Sequence, residues 1–304
     1  MEYRFDRLPK MIIFLVLLLV LIGIIALYSA ADGNLHPWAS KQMLLFCFSI
    51  PVVFIISLIN VRTLYQLAYP AYFVSLLLLI AVEILGHTAM GATRWLEIAS
   101  IKLQPSEPAK FAVILMLAKY FNDHSMQELN QWSKLIIPAV AVLIVTALII
   151  KQPDLGTGLI TIITSGMVFI GASINARKIL ATLFSCLALA PVAWNFLYDY
   201  QKRRIEIFLN PQADPFGSGY NIVQSKIAIG SGGFSGKGFL QGTQSHLSFL
   251  PEHQTDFIFA FLAEEFGFIG GVGIIILFAA LIAAIINISL NCRNIFLKLV
   301  TQGV

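Results

Sequence analysis

A carboxylate placed where a long polar stretch runs into an apolar one is the feature of this sequence best suited to chemistry. Asp256 stands in Leu250-Pro251-Glu252-His253-Gln254-Thr255-Asp256-Phe257-Ile258-Phe259-Ala260, with Glu264, Glu265 and Gly267 just beyond. An acid at a boundary between water and lipid is costly to ionise, and in a membrane protein such a residue is a functional candidate by default. Asp256 is therefore the expected catalytic residue. Pairing it with Glu264 as the two acids of a glycosidase fails on distance. On one helix they would lie roughly 12 Å apart along the axis, beyond the ≈ 5–9.5 Å of such pairs. Glu264 and Glu265 are better suited to closing salt bridges or capping polar cavities.

Two further arrangements invite a chemical reading. The run Gly230-Ser231-Gly232-Gly233-Phe234-Ser235-Gly236-Lys237-Gly238 has the look of a phosphate loop, but that motif requires Gly at 231 and Ser or Thr at 238. The run is either a flexible turn or a nest of backbone N–H groups that could meet an anion. His246, His253 and Asp256 lack the helical spacing of a metal site. No metal ligand set is expected, and an assisting divalent cation with Asp256 as its ligand is the one cofactor left open.

The elements that position these residues are suited to lipid. Of 304 residues 58% are hydrophobic and 12% charged, with a mean hydropathy of +0.82, which argues against a soluble domain. Apolar runs occur at Met11–Tyr28, Met43–Ile59, Leu67–Leu85, Pro108–Phe121, Leu135–Ile150, Gly158–Ile174, Ile179–Leu197 and Phe266–Ile288. The expected fold is all-α: a polytopic helical membrane protein of about eight spans. Residues 1–304 form one membrane domain, with residues 198–256 as a long extracytoplasmic loop. Arg4, Arg7 and Lys10 ahead of the first run suggest a signal peptide, but about 18 apolar residues exceed a cleavable core, so an uncleaved span is expected. Gly267 and Gly271 have the spacing that lets helices approach closely.

Orientation follows from the short loops. If the spans alternate, Arg4, Arg7, Lys10, Arg62, Lys119, Lys134, Arg177, Lys178, Arg293 and Lys298 share one side; Lys41, Arg94, Lys102, Lys110 and Lys151 share the other. The richer side is cytoplasmic, which puts the N-terminus inside and Asp256 outside. An outer-face enzyme has no supply of nucleoside triphosphate and needs a substrate that arrives activated, such as a lipid-linked donor. The net charge of +4 is dispersed, so membrane lipids are sufficient partners and no nucleic acid is expected. Cys47, Cys186 and Cys292 imply neither a disulfide framework nor a metal.

Several ordered blocks carry a family resemblance. They are Gly91-Ala92-Thr93-Arg94-Trp95-Leu96, Gln104-Pro105-Ser106-Glu107-Pro108-Ala109-Lys110 and Gln152-Pro153-Asp154-Leu155-Gly156-Thr157. Asn210-Pro211, Asp214-Pro215, Gly219-Tyr220-Asn221, Gln224-Ser225, Ala228 to Gly233, Gly236-Lys237-Gly238 and Leu250 to Gly267 follow. Together they resemble the SEDS family, in the branch that serves cell elongation and cell shape. The resemblance implies a peptidoglycan glycosyltransferase of the bacterial inner membrane that polymerises lipid II on the outer face and works with a class B penicillin-binding protein. It implies that Asp256 is the essential extracellular carboxylate and that Glu107 and Lys110 form an ion pair on the fourth helix, where residues three apart face each other. Ser106 and Pro108 suit the start of that helix. Two departures stand out. The family pattern Pro-Glu-x-His-Thr-Asp has its His one position later than His253, and its members carry a further pair of spans beyond the point where this chain ends, at Val304. A product lacking that pair is expected to be the less active.

A sugar hydroxyl is a weak nucleophile that needs a base within hydrogen-bond reach, whereas a pyrophosphate leaves without an acid behind it, so one carboxylate suffices. Arg94, Lys110, Arg203, Arg204 and Lys237 are the expected substrate contacts, cations suited to a pyrophosphate; for Arg203 and Arg204, with Lys202, lipid headgroups are the rival ligand. Two other functions compete with polymerisation: flipping of the lipid-linked precursor, and a non-catalytic scaffold for the partner synthase. A flippase should line a midplane path with ionisable residues, and here they gather at the outer boundary.

Overall fold

The computed structural model describes residues 10–304 apart from 90–91, 99–100, 173, 176, 179, 183, 185–187, 189–190, 192–193, 196, 215–216 and 243–253. Three long apolar runs give α1 (Lys10–Ala30), α2 (Trp38–Leu58) and α3 (Val61–Leu85). A small antiparallel sheet follows, β1 (His87–Ala89), β2 (Ala92–Ile98) and β3 (Ile101–Leu103), with β2 in the middle. Then come α4 (Ser106–Asp123), α5 (Met126–Leu129), α6 (Trp132–Lys151), α7 (Leu155–Gly171), α8 (Asp199–Leu209), a 3-10 turn (Pro211–Ala213), α9 (Ser218–Ser231), α10 (Ile258–Asn291) and α11 (Ile295–Gly303).

The protein is a multi-pass helical membrane protein. Among the described residues α1, α2, α3, α6 and α10 are long and apolar enough to cross a membrane, and α7 is a shorter apolar helix. α4 coincides with another expected span, although Glu107, Lys110, Lys119 and Asp123 make it the most charged of them. Of the expected run Ile179–Leu197, part lies outside the described residues; the positions described between 180 and 195 are helical. Side chains of α2 such as Phe48, Val53 and Ile55 are uncovered. A water-soluble protein would rarely tolerate so long an apolar face, and a bilayer solvates it.

The chain gathers into two compact units, each drawing on separated stretches: Met1–Leu58 with Phe196–Ala284, and Ile59–Asn195 with Ile285–Val304. In the second, α4 is the centre. Ala112, Val113, Ile114, Met116, Leu117 and Ala118 are buried around its circumference, the pattern of a helix enclosed by others, and α3, α6, α7 and α11 pack on it. α11 has no counterpart among the expected spans. Asn294 starts it by accepting from Leu297 N at 3.1 Å, and Phe296 and Leu299 are buried in the core. Gly303 closes it, because a Cβ there would stand 2.6 Å from Ile114 and 2.7 Å from Val168.

In the first unit the expected loop 198–256 is not simply a loop, since it contains α8 and α9. The connection between them is tight: a Cβ at Gly219 would lie 2.1 Å from Pro211 O and 2.6 Å from Asp214 O, so the glycine lets α9 fold back onto the turn. α10 begins at Ile258, ahead of the expected Phe266, and contains a break at Gly267, where φ is 66° and ψ −162°.

Candidate active site

Asp256 lies in the turn 254–257, directly before α10. Its side chain is exposed, and among the described residues no hydrogen bond or ion pair engages it. Two turns along the same helix the surroundings invert. Glu264 and Glu265 are 0% and 1% exposed, and a buried carboxylate must be paired or hydrogen-bonded. Lys237 Nζ stands 2.6 Å from Glu264 Oε1. Glu265 Oε1 accepts from Ser29 Oγ, at the end of α1, at 2.5 Å and from Leu240 N at 3.0 Å.

The backbone follows the same logic. The break at Gly267 interrupts the helical hydrogen-bond ladder, and in a membrane the freed groups need other partners. Lys237 N and Gly238 N donate to Glu264 O and Glu265 O, both at 3.0 Å; in the other direction Phe268 N donates to Gly233 O at 2.9 Å and Ile269 N to Phe234 O at 3.2 Å. Glycine is required on both sides of this interlock. A Cβ at Gly236 would lie 2.0 Å from Glu265 O, and one at Gly267 2.3 Å from Gly236 N, each on a backbone with positive φ.

Three expectations change here. The run 230–238 is neither a flexible turn nor an anion nest at Lys237 and Gly238, whose N–H groups are already bound. Lys237, expected on the substrate, holds a buried glutamate. Gly267 permits a break and a close loop contact, where its spacing from Gly271 suggested a helix-packing face. His246 and His253 lie outside the described residues, as do Leu250 to Glu252.

Arg203 and Arg204 share a unit with Asp256 and sit on α8. Arg203 Nη2 is 3.5 Å from Asp214 Oδ2 yet remains 68% exposed, and Arg204 is exposed. Both keep room for an anionic ligand.

Arg94, Glu107 and Lys110 belong to the second unit. There the three upstream sequence blocks meet in one polar network. Arg94 Nε donates to Gln152 O at 3.3 Å and its Nη2 to Pro153 O; Gln152 Nε2 donates to Leu79 O at 2.9 Å. Asp154 caps α7 by accepting from Thr157 N at 3.2 Å and Thr157 Oγ1 at 2.9 Å, and it also accepts from Gln104 Nε2 at 3.2 Å. Arg94, expected on the substrate, thus ties β2 to the turn before α7. Glu107 and Lys110 form the expected pair, Nζ to Oε1 2.9 Å, with the glutamate 53% exposed and the lysine 18%. Burial of the pair is not found. Ser106 is the first helical residue of α4, and the cap position falls on Pro105.

Among the described residues no three His, Cys, Asp or Glu side chains come together as a metal site.

Spanning helices, with an exposed acid directly before α10, define a multi-pass membrane protein. Residues 9–304 match the FtsW/RodA/SpoVE family, described as cell cycle protein, and the chain belongs to that family. The peptidoglycan glycosyltransferase MrdB of Escherichia coli (strain K12) is 36% identical over 297 residues, covering 97% of this chain and 79% of that protein. MrdB of Helicobacter pylori (strain J99 / ATCC 700824) is 35% identical over 308 residues, covering 99% and 77%. Among solved structures, one described as structural coordination of polymerization and crosslinking by a peptidoglycan synthase complex matches with a TM-score of 0.80 and 32% identity over 96% of this chain and 81% of that one. The rod shape determining protein RodA of Thermus thermophilus matches with a TM-score of 0.68 and 28% identity over 96% and 78%. The resemblance read from the ordered blocks is borne out.

Proposed function

We infer that this chain, a peptidoglycan glycosyltransferase by family, polymerises lipid II on the outer face of the bacterial inner membrane, N-terminus inside, with Asp256 as general base. One observation carries the assignment: Asp256 is an exposed carboxylate with no structural partner among the described residues, whereas Glu264 and Glu265 on the helix that follows are buried and bonded. The acceptor sugar hydroxyl attacks the anomeric carbon of the donor, the bond to the pyrophosphate oxygen breaks, and the hydroxyl proton passes to Asp256. Such a base must come within about 2.6–3.2 Å of the hydroxyl it deprotonates. The exposed Arg203 and Arg204 supply positive charge for the lipid-linked pyrophosphate.

The similarity to a chain from a peptidoglycan synthase complex that coordinates polymerization and crosslinking supports a crosslinking partner, a class B penicillin-binding protein. Purified protein in lipid vesicles, mixed with labelled lipid II with and without that partner, tests the reading. Glycan chains are expected, in greater yield with the partner. Translocation of lipid II without polymer would favour a flippase, and polymer only from the partner's own active site would favour a scaffold.

A further inference from the structure

We propose that Lys237 and Glu264 are positioning residues for the transfer reaction: their buried ion pair, with the backbone interlock around it, fixes the first turns of α10, directly after Asp256. The inference rests on Asp256 being the base. Glu264 is fully buried and Lys237 is its 2.6 Å partner. If packing alone were needed, an apolar pair of similar volume would serve as well or better. An ion pair adds direction, because it holds Lys237 at one place along α10 and no other.

What it holds is the piece of α10 next to the site. From Lys237 the chain passes Leu240, whose N–H is bound to Glu265 Oε1 at 3.0 Å. It then passes the buried Gly242, where a Cβ would stand 3.3 Å from Glu264 Oε2. Glu264 lies roughly 9 Å along α10 from Ile258, the residue two past Asp256. The loop 237–242 is therefore tied to the same short piece of α10 that begins beside Asp256. The end of α1 braces that piece, with Ser29 bonded to Glu265 and Tyr28 stacked on Phe239 at 6.3 Å. Neither Lys237 nor Glu264 needs to touch substrate for this, so the role is distinct from catalysis.

The test uses the full chain in phospholipid vesicles with labelled lipid II and compares E264Q, K237M, K237R, the double variant E264Q/K237M and D256N. Turnover is measured per folded molecule, with thermal unfolding followed in parallel. Misplacement near 1 Å costs about a hundredfold in rate. E264Q and K237M are accordingly expected to lose about ten- to a hundredfold in kcat with KM for lipid II unchanged, and K237R to recover most of it. Should E264Q fail to accumulate, K237M and the neutral double variant carry the same comparison. Wild-type kcat per folded molecule in K237M and the double variant, with only a lower unfolding temperature, overturns the inference and leaves Asp256 as base untouched. Full turnover in D256N overturns both.

Discussion

Three acids on or next to one helix have different fates, and burial decides between them. Glu264 and Glu265 are enclosed and therefore bonded, while Asp256 at the mouth of α10 is exposed. The same distinction separates two ion pairs that look alike in sequence. Lys110 faces a Glu107 that is 53% exposed, so water and headgroups screen the pair, and its loss should cost at most about 1 kcal/mol. Lys237 faces a fully buried Glu264; its loss removes the cation beside a buried carboxylate, at a cost of about 3–5 kcal/mol. Thermal unfolding of Lys110→Ala and Lys237→Ala in the same detergent measures both. A larger fall for Lys110→Ala would contradict the burial argument. In the sequence, the family resemblance marked Glu107 and Lys110 as partners, and their spacing of three residues agrees with it. Glu264 was legible only as an acid in need of a partner, since Lys237 is supplied by a loop that follows no period.

Elements show where local signals hold and where distant contacts replace them. The spans were readable from apolar runs, whereas the break at Gly267 and the fit of Gly236 against it were not, because a backbone-to-backbone contact leaves no pattern in side-chain polarity. α11 was missed for a related reason: nine residues are too few for a span, and its burial comes from docking on α4 and α7. The sheet β1–β3 is likewise too short for an alternation to stand out. The shortest helix shows a local signal at work. Ser125 and Glu128 form a capping box at α5, with Glu128 Oε2 accepting from Ser125 N at 2.7 Å and from Ser125 Oγ at 3.0 Å. These bonds from the backbone and side chain of Ser125 hold the Glu128 carboxyl below its usual range. A depressed folded value means that the contribution is present above the unfolded pKa, about 4.3, and is lost as pH falls through the lower folded value. Carboxyl-carbon titration by NMR should place Glu128 below ordinary glutamate, and Ser125→Ala, which removes the hydroxyl and keeps the backbone N–H, should raise it part of the way back. An unchanged midpoint in that variant would show that the hydroxyl does not bond the carboxylate.

Over the whole molecule, composition alone fixes the solvent, and the charge pattern of the loops proposes the orientation. If the side rich in Lys and Arg is cytoplasmic, Gln212, exposed in the turn after α8, faces outward, and Gln127, exposed in α5, faces the cytoplasm. In a background without Cys47, Cys186 and Cys292, Gln212→Cys should react with a membrane-impermeant thiol reagent in intact spheroplasts. Gln127→Cys should react only after permeabilisation. The reverse pattern would invert the topology and remove Asp256 from the outer face. The division into two units escaped the sequence, because each is assembled from stretches far apart in the chain and only the folded contacts join them.

The central claim is that one exposed carboxylate supplies the base for glycan polymerisation, and Asp256→Asn tests it most directly, since the substitution keeps the shape and removes the proton acceptor. With labelled lipid II and protein of wild-type unfolding temperature, polymer formation is expected to fall by at least about a hundredfold, within the range that general base catalysis contributes. Polymerisation at the wild-type rate by the folded Asn variant would contradict it.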